Sequence, residues 1–158
     1  MFREVMRVKQ RLSREECVAL LRSEPRGVLA VQGDDGYPYA LPTNHWYDPD
    51  TGVLYFHSGM TGHKVDAIRR CDKVSYCVTD RGERREGEWC LTFRSVIVFG
   101  RVEIIDDHDR AIEMTRRLSL QFTDDTDYIE REIRSAGART LVFALHPAHM
   151  TGKTVREE

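Results

Sequence analysis

The chain lacks the features that would place it in several large functional classes. It has no run approaching the roughly 18 consecutive apolar residues of a membrane-spanning helix. Its opening stretch, MFREVMRVKQR, lacks the apolar segment of a secretory signal, so a cytoplasmic protein with no membrane association is expected. Charge of one sign is also missing. Twenty-four Lys and Arg against 26 Asp and Glu leave a net −2, which gives no general attraction to nucleic acid. The four cysteines, Cys17, Cys71, Cys77 and Cys90, include no CxxC pair, so neither a structural zinc site nor thioredoxin-like chemistry is expected. His45, His57 and His63 are joined by no carboxylate at a ligand spacing, and no metal is expected there either. There is no internal repeat, no low-complexity tract and no long linker. The 158 residues fit one domain spanning 1–158, which at this length needs no disulfide or metal to hold its core.

What is present reads as strands with a few helices. Ser13-Arg14-Glu15-Glu16 is a capping box, and Cys17, Leu20 and Leu21 continue it as an apolar helical stripe that Pro25 and Gly27 end. Gly27 to Gly33 is a β-branched run, turned back by Asp34-Asp35-Gly36 into a second strand over Tyr37 to Asn44. Pro38 and Pro42 suit an edge strand or a bulge, because proline removes ladder donors. Asp48 to Gly52 is a turn and Val53 to His57 a third strand, followed by a helix over Thr61 to Arg70. Lys73 to Thr79 alternates as a strand, and Asp80 to Glu88 is a charged loop. Trp89 to Ile105 is one long bent strand or two, with Gly100 as the bend. Asp106-Asp107 caps a helix carrying Ile112, Met114 and Leu118, a second helix lies around Ile129 and Ile133, and Thr140 to His146 is the last strand. About six strands joined mainly by hairpins predict a mainly β fold, an antiparallel barrel decorated by helices.

One segment suggests chemistry. Gly59-Met60-Thr61-Gly62-His63-Lys64 puts two glycines before a helix and a cation in its first turn, which outlines an anion site. The spacing is not GxxxxGK[ST], which disfavours a P-loop nucleotide triphosphatase. The same residues also read as an ordinary turn, with Thr61 capping the helix and Lys64 solvated.

The full chain order resembles the FMN-binding split-barrel superfamily of pyridoxamine 5'-phosphate oxidase-like proteins, most nearly its nitroimidazole-resistance (Nim) branch. The resemblance is carried by GVLAVQGDDGYPYALPTNHWYD at 27–48, LYFHSGMTGHKVDAIRR at 54–70, KVSYCV at 73–78, SVIVFGRVE at 95–103 and HMTGK at 149–153. It implies a six-stranded antiparallel split β-barrel binding FMN. It implies that Gly62, His63 and Lys64 meet the phosphate, with His57 and Ser58 near the ribityl chain, and that Pro42, Thr43 and Asn44 lie along the isoalloxazine ring. It further implies a homodimer with the flavin at the subunit interface, where Ser95, Val96, Ile97 and the tail around Lys153 come from the partner. The alternative for the tail is a frayed terminus. Nim-like proteins have been linked to a special histidine at the position of His63, as a donor to the phosphate or as a catalytic proton donor. The implied activity is FMN-dependent reduction of a small acceptor, possible examples being nitroaromatic compounds such as nitroimidazoles. The alternative is a flavin- or haem-binding module without turnover.

Overall fold

The computed structural model describes residues 1–157. Its strands, all antiparallel to their neighbours, join in one sheet. The six principal strands are β1 (Arg26–Gln32), β2 (Pro38–Asn44), β4 (Leu54–Gly59), β5 (Lys73–Thr79), β7 (Leu91–Ile104) and β8 (Thr140–Arg156). Two-residue strands β3 (Trp46–Tyr47) and β6 (Glu83–Arg84) are added to them, and the order in the sheet is β2-β1-β5-β7-β8-β4-β3, with β6 paired to β7. The sheet curls until β2 and β4 come into contact. The result is a mainly β split barrel with helices, as expected.

The local signals explain most of the elements. Helix α1 (Arg14–Ser23) begins with the complete capping box: the Glu16 N–H donates to Ser13 Oγ at 3.1 Å, and the Ser13 N–H donates to Glu16 Oε2 at 2.7 Å. The β1–β2 turn holds Asp35 at φ 54° and Gly36 at φ 80°, the pair of left-handed residues a type I′ turn demands. Asp107 caps α3 (His108–Ser119), its Oδ1 accepting from the Arg110 N–H at 2.8 Å, and Asp125 caps α4 (Thr126–Ala136) in the same way. Both β2 prolines fall on an edge strand, where a missing donor disturbs nothing beyond.

Four readings are corrected. The segment 80–88 is not all loop, because Glu83 and Arg84 pair with Thr92 and Leu91. The last strand does not stop at His146 but runs on to Arg156. Pro147 looks like a terminator, yet the β7–β8 register shifts between Phe99 and Gly100, so Pro147 sits opposite Gly100 at a bulge where its missing N–H is tolerated. A Cβ at Gly100 would collide with the His146 carbonyl, which is why this bend carries glycine. The tail is therefore not frayed: Ser95, Val96 and Ile97 pair with Lys153, Gly152 and Thr151 of the same chain. The helix after β4, α2 (His63–Arg70), begins two residues later than Thr61, with Gly62 as its N-cap.

The core lies inside the curl. Leu29, Val31, Leu54, Phe56, Val74, Tyr76, Val78, Val96, Val98 and Phe143 meet there with Val65, Ala67 and Ile68 of α2 and Cys17, Leu20 and Leu21 of α1. A second cluster on the opposite face joins Tyr55, Val142 and Ala144 to Ala111 of α3. The opposite face of β1, β5 and β7 remains partly apolar and open, with Val28 43% exposed.

Candidate functional site

The first turn of α2 is the centre of the candidate site. Gly62, at φ 128°, supplies no side-chain cap, and the helical ladder starts only when the Asp66 N–H donates to the Gly62 carbonyl at 3.0 Å. The N–H groups of His63, Lys64 and Val65 are thus left without helical acceptors. Among the described residues, nothing beyond its own chain neighbours stands within 4 Å of where a Cβ would be on either Gly59 or Gly62, so the approach is open. Beside it, Lys64 is half-buried with its Nζ 5.8 Å from the centre of the Phe143 ring. Among the described residues no carboxylate lies within ion-pairing distance of it, and burial holds its pKa below the usual lysine value. An enclosed ammonium without a counterion, next to unsatisfied N–H groups, can take an anion.

His57 extends this surface from the end of β4. Surrounding protein atoms desolvate its ring and the Lys64 ammonium repels a second positive charge, so its pKa lies below that of a free imidazole. It is suited to act as a neutral donor or acceptor beside a ligand. Ser58 is the next residue and partly buried. His57, Ser58, Gly62 and Lys64 are thus gathered at one junction of strand and helix. His63 faces elsewhere. Its ring stacks on Tyr39 at 4.1 Å between centroids and 15° between planes, and its Nε2 is 3.3 Å from Asp34 Oδ2. Asp34 also binds Arg70 at 2.7 Å, so the imidazole is turned to the β1–β2 turn.

The second group, Pro42, Thr43 and Asn44, forms the end of edge strand β2. Pro42 is exposed, and Asn44 Oδ1 accepts from Arg26 Nε at 2.7 Å. Behind them lies an arrangement with no local sequence signal. His45 is completely buried; its Nε2 stands 2.8 Å from the Leu21 carbonyl and its Nδ1 2.9 Å from the Tyr76 hydroxyl, which is also 3.0 Å from the Thr43 carbonyl. Desolvation depresses the His45 pKa to about 4 and raises that of Tyr76 far above a free phenol's.

The third group lies on β7 and β8. Ser95, Ile97 and Lys153 line one pocket of about 340 Å³. The Val96 side chain is fully buried in the core and points away. The pocket's other wall is the segment before α1, including Arg3, Met6 and Arg7, which carries no periodicity that would have marked it. That segment is fastened where the Leu12 N–H donates to the Gly152 carbonyl at 2.9 Å and where Phe2 stacks on His149 at 4.9 Å. His108 is exposed, and His146 is held at the surface by Glu103, Nε2 to Oε2 2.8 Å.

A curled antiparallel sheet with an anion-receptive turn between a strand and a short helix places the molecule in the split-barrel class. The sequence carries the finer assignment: residues 13–154 match the family model of pyridoxamine 5'-phosphate oxidase, and the chain belongs to that family. Solved structures agree in fold. A candidate 5-nitroimidazole antibiotic resistance protein from Bacteroides thetaiotaomicron superposes with TM-score 0.78 at 20% identity, over 94% of this chain and 90% of that one. An FAD-binding protein from Mesorhizobium loti gives 0.66 at 25% identity, over 92% and 97%. An FAD and haem binding protein from Mycobacterium smegmatis gives 0.73 at 24% identity, over 92% and 72%. No curated protein matches the chain in sequence.

Proposed function

We propose that the chain is an FMN-dependent oxidoreductase that reduces a small planar acceptor of nitroaromatic type, working as a homodimer with the flavin between subunits. The observation that carries this reading is the uncountered, half-buried Lys64 beside the open first turn of α2. One cation at one helix N-terminus matches a single phosphate, which favours FMN over a dinucleotide. When bound, the flavin supplies the electron chemistry, two electrons and two protons turning a nitro group into a nitroso group and water. The protein's part is to hold and orient. Lys64 and the N–H groups of His63 and Lys64 take the phosphate, and His57 and Ser58 stand beside it. Pro42, Thr43 and Asn44 face the ring edge. Because the His63 imidazole is engaged by Tyr39 and Asp34, its contribution is the main chain rather than proton transfer. Ser95, Ile97 and Lys153 reach the flavin of the partner subunit. The partly apolar outer face around Val28 and the exposed Met6 and Val8 support such an association, since both would be covered by a second copy.

The test is anaerobic reduction of the FMN-loaded protein followed by mixing with a nitroimidazole. Reoxidation whose rate rises with acceptor concentration, with repeated turnover, is expected. Tight flavin binding with no response to the acceptor would instead identify a non-catalytic flavin module.

A further inference from the structure

The buried His45 and Tyr76 stand apart from the phosphate group of residues, yet they converge on the backbone that follows Pro42. A carbonyl oxygen only accepts, so the 2.8 Å contact with Leu21 places the His45 proton on Nε2 and leaves Nδ1 an acceptor. Among the described residues the hydroxyl within reach of it is that of Tyr76, whose single proton lies between two acceptors, His45 Nδ1 at 2.9 Å and the Thr43 carbonyl at 3.0 Å. From the other side Gln121 Nε2 donates to the His45 carbonyl at 2.8 Å. The network thus fastens the end of β2 to α1, β5 and the C-terminal end of α3.

Two features show that this fastening replaces something. β2 is an edge strand with prolines at 38 and 42, so its own ladder offers fewer donors than a central strand's. And the close approach of β5 and Tyr76 to β1 requires glycine at 27: a Cβ there would stand 2.5 Å from the Cys77 carbonyl oxygen and 2.7 Å from Tyr76 Cζ. An all-apolar filling of the same space would avoid the desolvation of an imidazole and a phenol, but it would leave the Thr43 main chain without a side-chain partner.

We propose that Tyr76, with His45 and Gln121, is a positioning residue for the candidate cofactor site: it fixes the Thr43–His45 main chain and thereby sets where the Pro42–Asn44 edge stands against the flavin ring. This rests on the flavin reading above. Because the network holds the Pro42–Asn44 edge and makes no bond to His57, Ser58, Gly62 or Lys64, it should govern the environment of the flavin ring and not the discrimination of its phosphate.

The experiment uses the full chain loaded with FMN or with riboflavin, comparing wild type with Tyr76→Phe. The expected result is an equal rise of about three- to tenfold in Kd for both ligands, together with a shifted flavin midpoint potential. Unchanged affinities and an unchanged potential would overturn the proposal, and so would a loss confined to FMN. If Tyr76→Phe does not fold, Gln121→Met, which removes the donor to the His45 carbonyl from the outside, is expected to shift the potential in the same manner; a wild-type potential in that variant would likewise overturn the proposal. Failure of the wild-type chain to take up any flavin would remove the underlying reading as well, and is distinguished from the other outcomes by that measurement alone.

Discussion

An ammonium held among protein atoms without a counterion is destabilised relative to water, and Lys64 is in that position. If a phosphate relieves it, Lys64→Ala should weaken FMN by roughly ten- to a hundredfold, the range of a charge-assisted hydrogen bond. Riboflavin, which has no phosphate, should be nearly unaffected. Fluorescence titration of both ligands decides it, and equal losses would contradict the assignment. His45 carries a second prediction at this scale. Its pKa falls from 6.5 to about 4 on folding, so between those values the unfolded chain binds a proton that the folded one refuses. Stability attributable to His45 is therefore fully present above about pH 6.5 and is lost as pH falls toward 4, by about 3 kcal/mol over the window. Urea unfolding at pH 7 and pH 4 should show a larger loss in wild type than in His45→Gln, and parallel losses would refute it. Lys64 was legible in the sequence because its signal is local, two glycines and a helix start. The His45–Tyr76 pair was not, since its members lie 31 residues apart and meet only when β5 enters the barrel.

Elements were legible where their punctuation is local. The capping box, the left-handed Asp35-Gly36 turn and the Asp107 cap are read from three or four residues and recur as written. The two-residue strands β3 and β6 were not readable, because they exist only through their partners β4 and β7. The continuation of β8 past His146 was not readable, because the bulge that accommodates Pro147 depends on Gly100, far earlier in the chain. The close approach of β8 to α1 yields a prediction. A Cβ on Gly152 would collide with Cys17 Sγ and press on Leu12. Gly152→Ala should destabilise the fold by about 1–3 kcal/mol. Adding Cys17→Ala, which removes the sulfur, should make the double variant more stable than the sum of the two single losses implies. Strict additivity in thermal or urea unfolding would show that α1 and β8 do not pack as described.

For the whole molecule, the separation of the candidate residues is the main issue. His57, Ser58, Gly62 and Lys64 gather at one junction, whereas Ser95, Ile97 and Lys153 line a pocket on β7 and β8 roofed by the segment before α1. In the proposed dimer the second group of one protomer would meet the first group of the other. Val28 lies on the open outer face and in register with Cys77, itself in register with Ile97, yet belongs to neither group. Val28→Asp should therefore leave the circular dichroism spectrum intact while giving a monomer in sedimentation and releasing flavin. A folded monomer that retains flavin at wild-type affinity would reject the interfacial site. The curled sheet and family membership were readable from the ordered matches along the chain, but the pocket wall built by Arg3 and Arg7 was not, since it depends on where an aperiodic segment docks. Flavin binding is read from the absorption spectrum of the purified protein, with mass spectrometry of whatever heat releases. Flavin bands and the mass of FMN are expected. A colourless protein that also refuses added FMN would contradict the account.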